Sequence, residues 1–145
     1  MLIAFVALAG NASLIKKVGG YSNTKIHGYL MGAATALGCF GYYVIHSNKD
    51  LMNKAHLTTL HGKLGAACMV GYIGLGLFGS VALDPQWGLL KTNSFLRTVH
   101  KMSGRVVTWL AWTTSVLGFT TMYGTGTDSY IFGVPLLVFG YFCLL

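Results

Sequence analysis

The feature that most constrains this chain is a series of long apolar runs separated by short polar linkers. Of its 145 residues, 54% are hydrophobic and only 9% are charged, a composition too apolar for a soluble domain of this length. Most of the charged residues fall between the runs rather than within them. A helix needs about 20 apolar residues to cross the hydrocarbon core of a bilayer. The sequence therefore predicts an all-α, polytopic membrane helix bundle.

Five apolar runs are candidate membrane spans. They are residues 2–15, 27–45, 64–83, 95–122 and 130–145. The middle three are long enough to span, whereas the first and last are shorter than a span requires, so both ends of the chain look cut. Residues 1–12 offer an alternative interpretation as a secretory signal, because Ala7 and Ala9 have cleavage-site spacing, although no Lys or Arg precedes the apolar run.

The linkers and cysteines add no second domain. Each linker is rich in turn-forming residues and too short to fold by itself, so residues 1–145 are interpreted as a single transmembrane domain. Cys39, Cys68 and Cys143 lie inside apolar runs without metal-ligand or CxxC spacing. We expect all three to be small buried hydrophobic residues.

The basic residues predict an orientation, because consecutive spans alternate in direction. One face of the membrane collects seven of them: Lys16, Lys17, Lys25, Lys91, Arg97, Lys101 and Arg105. The other face collects three: Lys49, Lys54 and Lys63. The positive-inside rule places the first face in the cytoplasm. The net charge of +7 then reflects cytoplasmic flanks rather than a nucleic-acid surface, and the partner it implies is the lipid bilayer.

Three of the five histidines stand at or inside the start of a span, where ionisable groups are costly and usually functional. His46 and His56 border a loop, where we expect them to be in water. His27 and His100 begin spans that enter from the cytoplasmic face, so they lie at similar depth and can face each other. His61 begins a span on the opposite face, about one helix length away.

Two imidazoles that converge from two helices can bind haem iron on both axial sides. A flat porphyrin also needs space, and Gly65 and Gly104 lie four residues after His61 and His100, on the same helix faces. His27 has Met31 at that position instead. An alternative interpretation needs no haem. In it, the histidines lie at the membrane interface and bind carbonyls or headgroups, and the glycines serve helix packing.

Three motifs, TKIHGYL, NKAHLTTLHGKLG and RTVHKMSGR, resemble the histidine-bearing helix starts of the cytochrome b561 family, particularly its short stand-alone transmembrane reductases. The resemblance covers nearly the whole chain. It implies a six-helix fold with a four-helix core that binds haem b, two per chain in the family. It further implies electron transfer from cytosolic ascorbate to monodehydroascorbate or ferric iron on the far side.

Carried over by motif, the resemblance implies that His27 and His100 are axial ligands of the haem iron nearer the cytosol and that His61 is a ligand of the far haem. The family partner of His61 lies on the helix before His27, and this chain begins at Met1 without it. The expectation is therefore an N-terminally truncated domain that lacks the family's first helix and the start of the second, with one complete axial pair.

The resemblance also implies an ascorbate site lined by basic residues, where Lys25 matches one of them and Arg97 and Lys101 are neighbours by position only. The predicted activity is that of an ascorbate-dependent oxidoreductase of the ferric-chelate or monodehydroascorbate reductase type, in an endomembrane or vesicle. A non-catalytic subunit that binds haem or anchors a partner is the alternative, and a haem-free scaffold is a third. Homodimer formation is left open.

Overall fold

The computed structural model describes residues 8–123 and positions 134 and 138. Four helices follow one another: α1 (Asn11–Val18), α2 (Tyr21–Leu51), α3 (Leu60–Ala82) and α4 (Ser94–Tyr123). No strand occurs within these described residues, which confirms the predicted all-α class. The predicted final run, residues 130–145, lies outside the described part of the chain apart from the two isolated positions.

The helices begin and end where local chemistry dictates. Gly19 and Gly20 have φ angles of 80° and 88°, a left-handed backbone that glycine adopts without steric cost, and they separate α1 from α2. The side chain of Thr59 accepts a hydrogen bond from the Gly62 N–H at 3.1 Å and caps α3. The Asn93 side chain accepts from the Leu96 N–H at 3.0 Å at the start of α4.

Helix α3 organises the bundle, because it packs against both α4 and α2, while α1 packs against α2. Among the four described helices, α2 and α4 do not pack directly on each other. The core is built largely from small or slender side chains of the three long helices, including Ala34, Cys68, Met69 and Ala111. Such residues let helix backbones approach closely in a membrane.

The outer surface of the bundle is apolar. Tyr29, Phe40, Val70 and Val106 are among many large hydrophobic side chains that are exposed, which suits contact with lipid. Two helices, α2 and α3, are long and apolar enough to cross a membrane. Helix α4 is 30 residues long but has Arg97, Lys101 and Arg105 in its first half.

Candidate functional site

His27 is held in one orientation by helix α1. Its Nδ1 lies 3.0 Å from the carbonyl oxygen of Ala12, and because a carbonyl only accepts, Nδ1 carries the proton and donates it. The lone pair then resides on Nε2. A hydrogen bond of this kind, from one ring nitrogen to a backbone carbonyl, fixes the tautomer of metal-binding histidines.

His100 lies near the start of α4, at the same end of the bundle as His27 near the start of α2. Its imidazole packs against α3 at Gly79, where an added Cβ would lie 3.0 Å from the ring Cε1. Within the described chain, its Nδ1 is buried and has no hydrogen-bond partner. An unsatisfied buried nitrogen is costly, so this imidazole, unlike that of His27, is incompletely hydrogen-bonded.

The surroundings of these two histidines leave space. Helices α2 and α4 do not pack on each other, and a Cβ built on Gly28, Gly32 or Gly104 would meet no atom within 4 Å. The expectation that the glycine four residues after His100 leaves its helix face open is therefore met. These features fit a haem between α2 and α4. The ring of His27 is oriented, the ring of His100 is incompletely hydrogen-bonded, and the face of α4 beside His100 is open at Gly104.

His61 stands at the other end of α3. Its Nδ1 donates to the Thr114 carbonyl oxygen at 2.8 Å, and its ring packs against Gly118, where an added Cβ would lie 2.8 Å from Cε1. The structure differs from the sequence expectation at Gly65, where an added Cβ would lie 3.7 Å from the Thr114 methyl group. Gly65 therefore lies at a helix contact and does not open a space for a porphyrin.

Sequence reasoning missed the two glycines that receive the histidine rings. His61 and Gly79 are 18 positions apart, and so are His100 and Gly118. Because α3 and α4 pack together, each histidine lies against the distant glycine of the other helix. Eighteen residues correspond to five helical turns, or about 27 Å, so the two histidine levels are separated by about the thickness of a hydrocarbon core.

Lys25, the predicted substrate residue, is already engaged in the structure. Its Nζ forms an ion pair with Asp84 at 3.0 Å, with side chains only 17% and 12% exposed, and lies 4.2 Å from the centre of the Trp87 ring. Partial burial acts to raise the pKa of Asp84, but the Gln86 N–H, Lys25 and the Trp87 N–H outweigh it and lower that pKa. Lys25 is thus a positioned cation with a partner.

Two further cations lie near this end of the bundle. Lys16 donates to the Thr24 hydroxyl at 2.8 Å, and its pKa is lowered by burial and then by the positive charge of Arg97. Arg97 is exposed and donates from Nε to the Lys91 carbonyl at 2.6 Å. Two cations that repel each other favour a bound anion.

The sequence analysis expected the remaining two histidines to be in water, and the structure adds a shared carboxylate partner. His46 and His56 both contact Asp50, at 3.0 and 2.6 Å. The structure therefore groups the five histidines as His27 with His100 at one end, His61 alone on α3 at the other, and His46 with His56 around a carboxylate.

Comparison with known proteins gives a consistent picture. A family model described as eukaryotic cytochrome b561 matches residues 1–124. The chain is similar to the transmembrane reductase CYB561D2 of Bos taurus and of Mus musculus, each 27% identical over 132 residues, and to that of Homo sapiens, at 26%. These alignments cover 88% of the chain and 57% of each relative, so the chain spans little more than half of their length. No solved structure matches it.

Proposed function

Because the chain belongs to the cytochrome b561 family, we propose that it transfers electrons across a membrane by means of haem b. The observation that carries this proposal is that His27 and His100 lie at the same end of the bundle on α2 and α4, two described helices that do not pack directly on each other. The relatives are named transmembrane reductases, which supports an oxidoreductase. An apolar bundle supplies the water-poor setting that tunes a haem's reduction potential.

The residues proposed to hold the haem nearer the cytosol are His27 and His100. Bound there, haem b would supply one-electron iron(III)/iron(II) chemistry. The Ala12 carbonyl keeps the Nε2 of His27 unprotonated, and Gly79 admits the ring of His100. His61, oriented by the Thr114 carbonyl, is the proposed ligand for a haem on the far side.

The proposed electron donor is ascorbate, an anion that would be attracted to the basic surface near His27. Lys25 is the proposed contact residue, positioned by Asp84 and Trp87. Arg97 is an exposed neighbour, and Lys16 adds positive charge. The proposed acceptor on the far side is monodehydroascorbate or ferric iron, in an endomembrane or vesicle.

The reduction of the purified protein by ascorbate tests this donor assignment. The rate at which the haem absorption band changes should fall in Lys25→Ala and stay the same in Lys54→Ala, a lysine assigned to the other face. Equal rates in both variants would contradict a donor site at Lys25. Absence of a Soret band from the parent protein would contradict the haem function itself.

Orientation is tested by inserted glycosylation acceptors. The seven-to-three distribution of basic residues puts the α1–α2 junction in the cytosol. An acceptor near Asn48 should then be modified, and one near Gly20 should not. The opposite labelling would place the proposed donor site on the lumenal face.

A second candidate is a non-catalytic subunit that binds haem or anchors a partner. It is favoured by the surroundings of His61, whose described ring contacts are Thr114 and Gly118 rather than a second histidine. In proteoliposomes loaded with ascorbate, an external ferric chelate should be reduced if the chain is a reductase. A haem-loaded protein that leaves the chelate oxidised would favour the subunit.

A further inference from the structure

A second group of potential metal ligands lies apart from the proposed haem ligands, at the junction of α2 and α3. His46 and Asp50 occupy successive turns at the end of α2, four residues apart, and His56 comes from the loop that follows. Nδ1 of His46 lies 3.0 Å from one oxygen of Asp50, and Nε2 of His56 lies 2.6 Å from the other. The two imidazoles stack at 3.9 Å between ring centres.

The loop that brings His56 to this position is held by several contacts. The Lys54 N–H donates to the Lys49 carbonyl at 2.9 Å, and Lys49 Nζ donates to the Ala55 carbonyl at 3.2 Å. Asn53 and Leu57 both have φ angles of 51°. A left-handed leucine costs of order 1 kcal/mol and persists only when its surroundings enforce it. His56 is therefore placed over Asp50 at a conformational cost.

The spacing of the ligand atoms suits a metal ion. One ligand atom from each of the three residues can be chosen so that all lie within 4.8 Å of one another. Bonds of about 2.0–2.2 Å from a metal to nitrogen and oxygen separate adjacent ligands by roughly 3 Å. The observed contacts of 3.0 and 2.6 Å are close to that value, so the three side chains already lie at a suitable separation, and each ring would turn from its hydrogen bond with Asp50 to face a shared ion.

The chemistry of the three ligands restricts the class of ion. Two imidazole nitrogens with one carboxylate oxygen favour borderline divalent transition metals such as zinc, cobalt, nickel or copper, whereas calcium and magnesium prefer oxygen ligands. The side chains of His46, Asp50 and His56 are 45%, 57% and 33% exposed. A hydrated ion can therefore reach the site and retain water in its remaining coordination positions.

We propose that His46, Asp50 and His56 form a binding site for a divalent transition-metal ion at the end of the bundle opposite His27 and His100. The ion would tie the loop between α2 and α3 to the last turn of α2. His56 is only five residues before His61, so the ion would also restrain the start of the histidine-bearing helix α3. The site shares no ligand with the proposed haem sites and stands independently of the proposed function.

The alternative for this cluster is a purely hydrogen-bonded group in which each neutral imidazole donates one N–H to Asp50. Only the metal site predicts saturable binding of an added ion, so direct binding distinguishes them.

Isothermal titration of the purified protein with zinc chloride near neutral pH tests the proposal. We expect one zinc ion per chain. His46→Ala and His56→Ala should each weaken binding by at least about tenfold, because even the loss of an outer-shell partner of a metal ligand has an effect of 10–100-fold. Asn48→Ala, which changes an exposed side chain on the same turns of α2, should bind zinc as the parent does.

Two results would overturn the proposal: no saturable zinc binding by the parent, or binding that survives His56→Ala unchanged. The haem absorption of each sample is recorded in parallel, because His56 is a loop residue and its replacement should leave the bundle folded. His27→Ala should retain zinc binding even if its haem is lost. Loss of zinc binding in His27→Ala, with zinc binding retained in His56→Ala, would show that the ion binds at the end that carries His27 and His100.

Discussion

The two ends of the bundle are built from the same pair of helices, yet they present different chemistry. At one end His100 of α4 packs against Gly79 of α3, and at the other His61 of α3 packs against Gly118 of α4. On each helix the histidine and the glycine are 18 positions apart. At the proposed cytosolic end, His100 shares its level with His27 of α2, and the described helices α2 and α4 do not pack directly on each other. At the far end His61 contacts Thr114 and Gly118. Helices α3 and α4 thus place one histidine at each end of the bundle. Helix α2 adds a second histidine, His27, at only one of these ends.

The largest expected effect is loss of haem from the end of the bundle that carries His27 and His100. His100→Ala should remove most of the bound haem, because it leaves His27 as the single axial ligand there. His46→Ala should keep the haem, since His46 is bound to Asp50. The haem absorption per milligram of purified protein measures both. A normal spectrum for His100→Ala would show that the two ends have been assigned wrongly.

Leucine at the two ring-facing glycines should separate the ends. Gly79→Leu and Gly118→Leu each place a side chain against an imidazole, at 3.0 and 2.8 Å for Cβ alone, and overpacking of this kind destabilises by roughly 1–3 kcal/mol. Thermal unfolding should show a lower unfolding temperature for both variants. Only Gly79→Leu should also release haem, because it displaces His100.

Gly76→Leu is the matched control for this pair, since a Cβ at Gly76 meets no atom within 4 Å. It should change neither unfolding temperature nor haem content. Haem loss in Gly118→Leu with retention in Gly79→Leu would reverse the comparison between the two ends.

Gly104→Leu should lower haem content without destabilising the haem-free protein. Its Cβ meets no atom within 4 Å, so a leucine has space when haem is absent and competes with the porphyrin when it is present. The measurement is haem affinity together with the unfolding temperature of the haem-free form. An unchanged affinity would show that the porphyrin does not lie along this face of α4.

The sequence predicted the helices well and their side-chain contacts less well. The apolar run 64–83 corresponds to the observed helix Leu60–Ala82, and the run 95–122 corresponds to Ser94–Tyr123. The bounds agree because hydropathy marks the segment that avoids water. The run 27–45 lies within the longer Tyr21–Leu51, since a helix continues beyond its apolar segment as long as backbone bonding allows.

The missed contacts depend on pairings that periodicity along one helix does not specify. The identical 18-residue interval from His61 to Gly79 and from His100 to Gly118 was a signal in the sequence, but it acquires meaning only once α3 packs on α4. The Lys25–Asp84 pair joins residues 59 positions apart. The contact of His56 with Asp50 requires a loop in which Asn53 and Leu57 adopt left-handed backbone, a conformation that is uncommon for such residues.

The smallest expected effect concerns the surface at the cytosolic end. Asp84→Asn removes the charge partner of Lys25 and leaves the lysine to be positioned by Trp87 alone. We expect the ascorbate concentration for half-maximal haem reduction to change by roughly two- to fivefold, which corresponds to about 0.4–1 kcal/mol, because Lys25 itself is retained. A matched Asp50→Asn at the far end should leave this concentration unaltered. A larger change in Asp50→Asn would place the donor at the far end.

The central claim is that the cytosolic end, between α2 and α4, holds the tightly bound haem. The most direct test is the haem-to-protein ratio of the parent chain, His27→Ala and His61→Ala. The account predicts about one haem per chain in the parent and in His61→Ala, and almost none in His27→Ala. Two tightly bound haems in the parent, or haem that survives His27→Ala and is lost in His61→Ala, would contradict it.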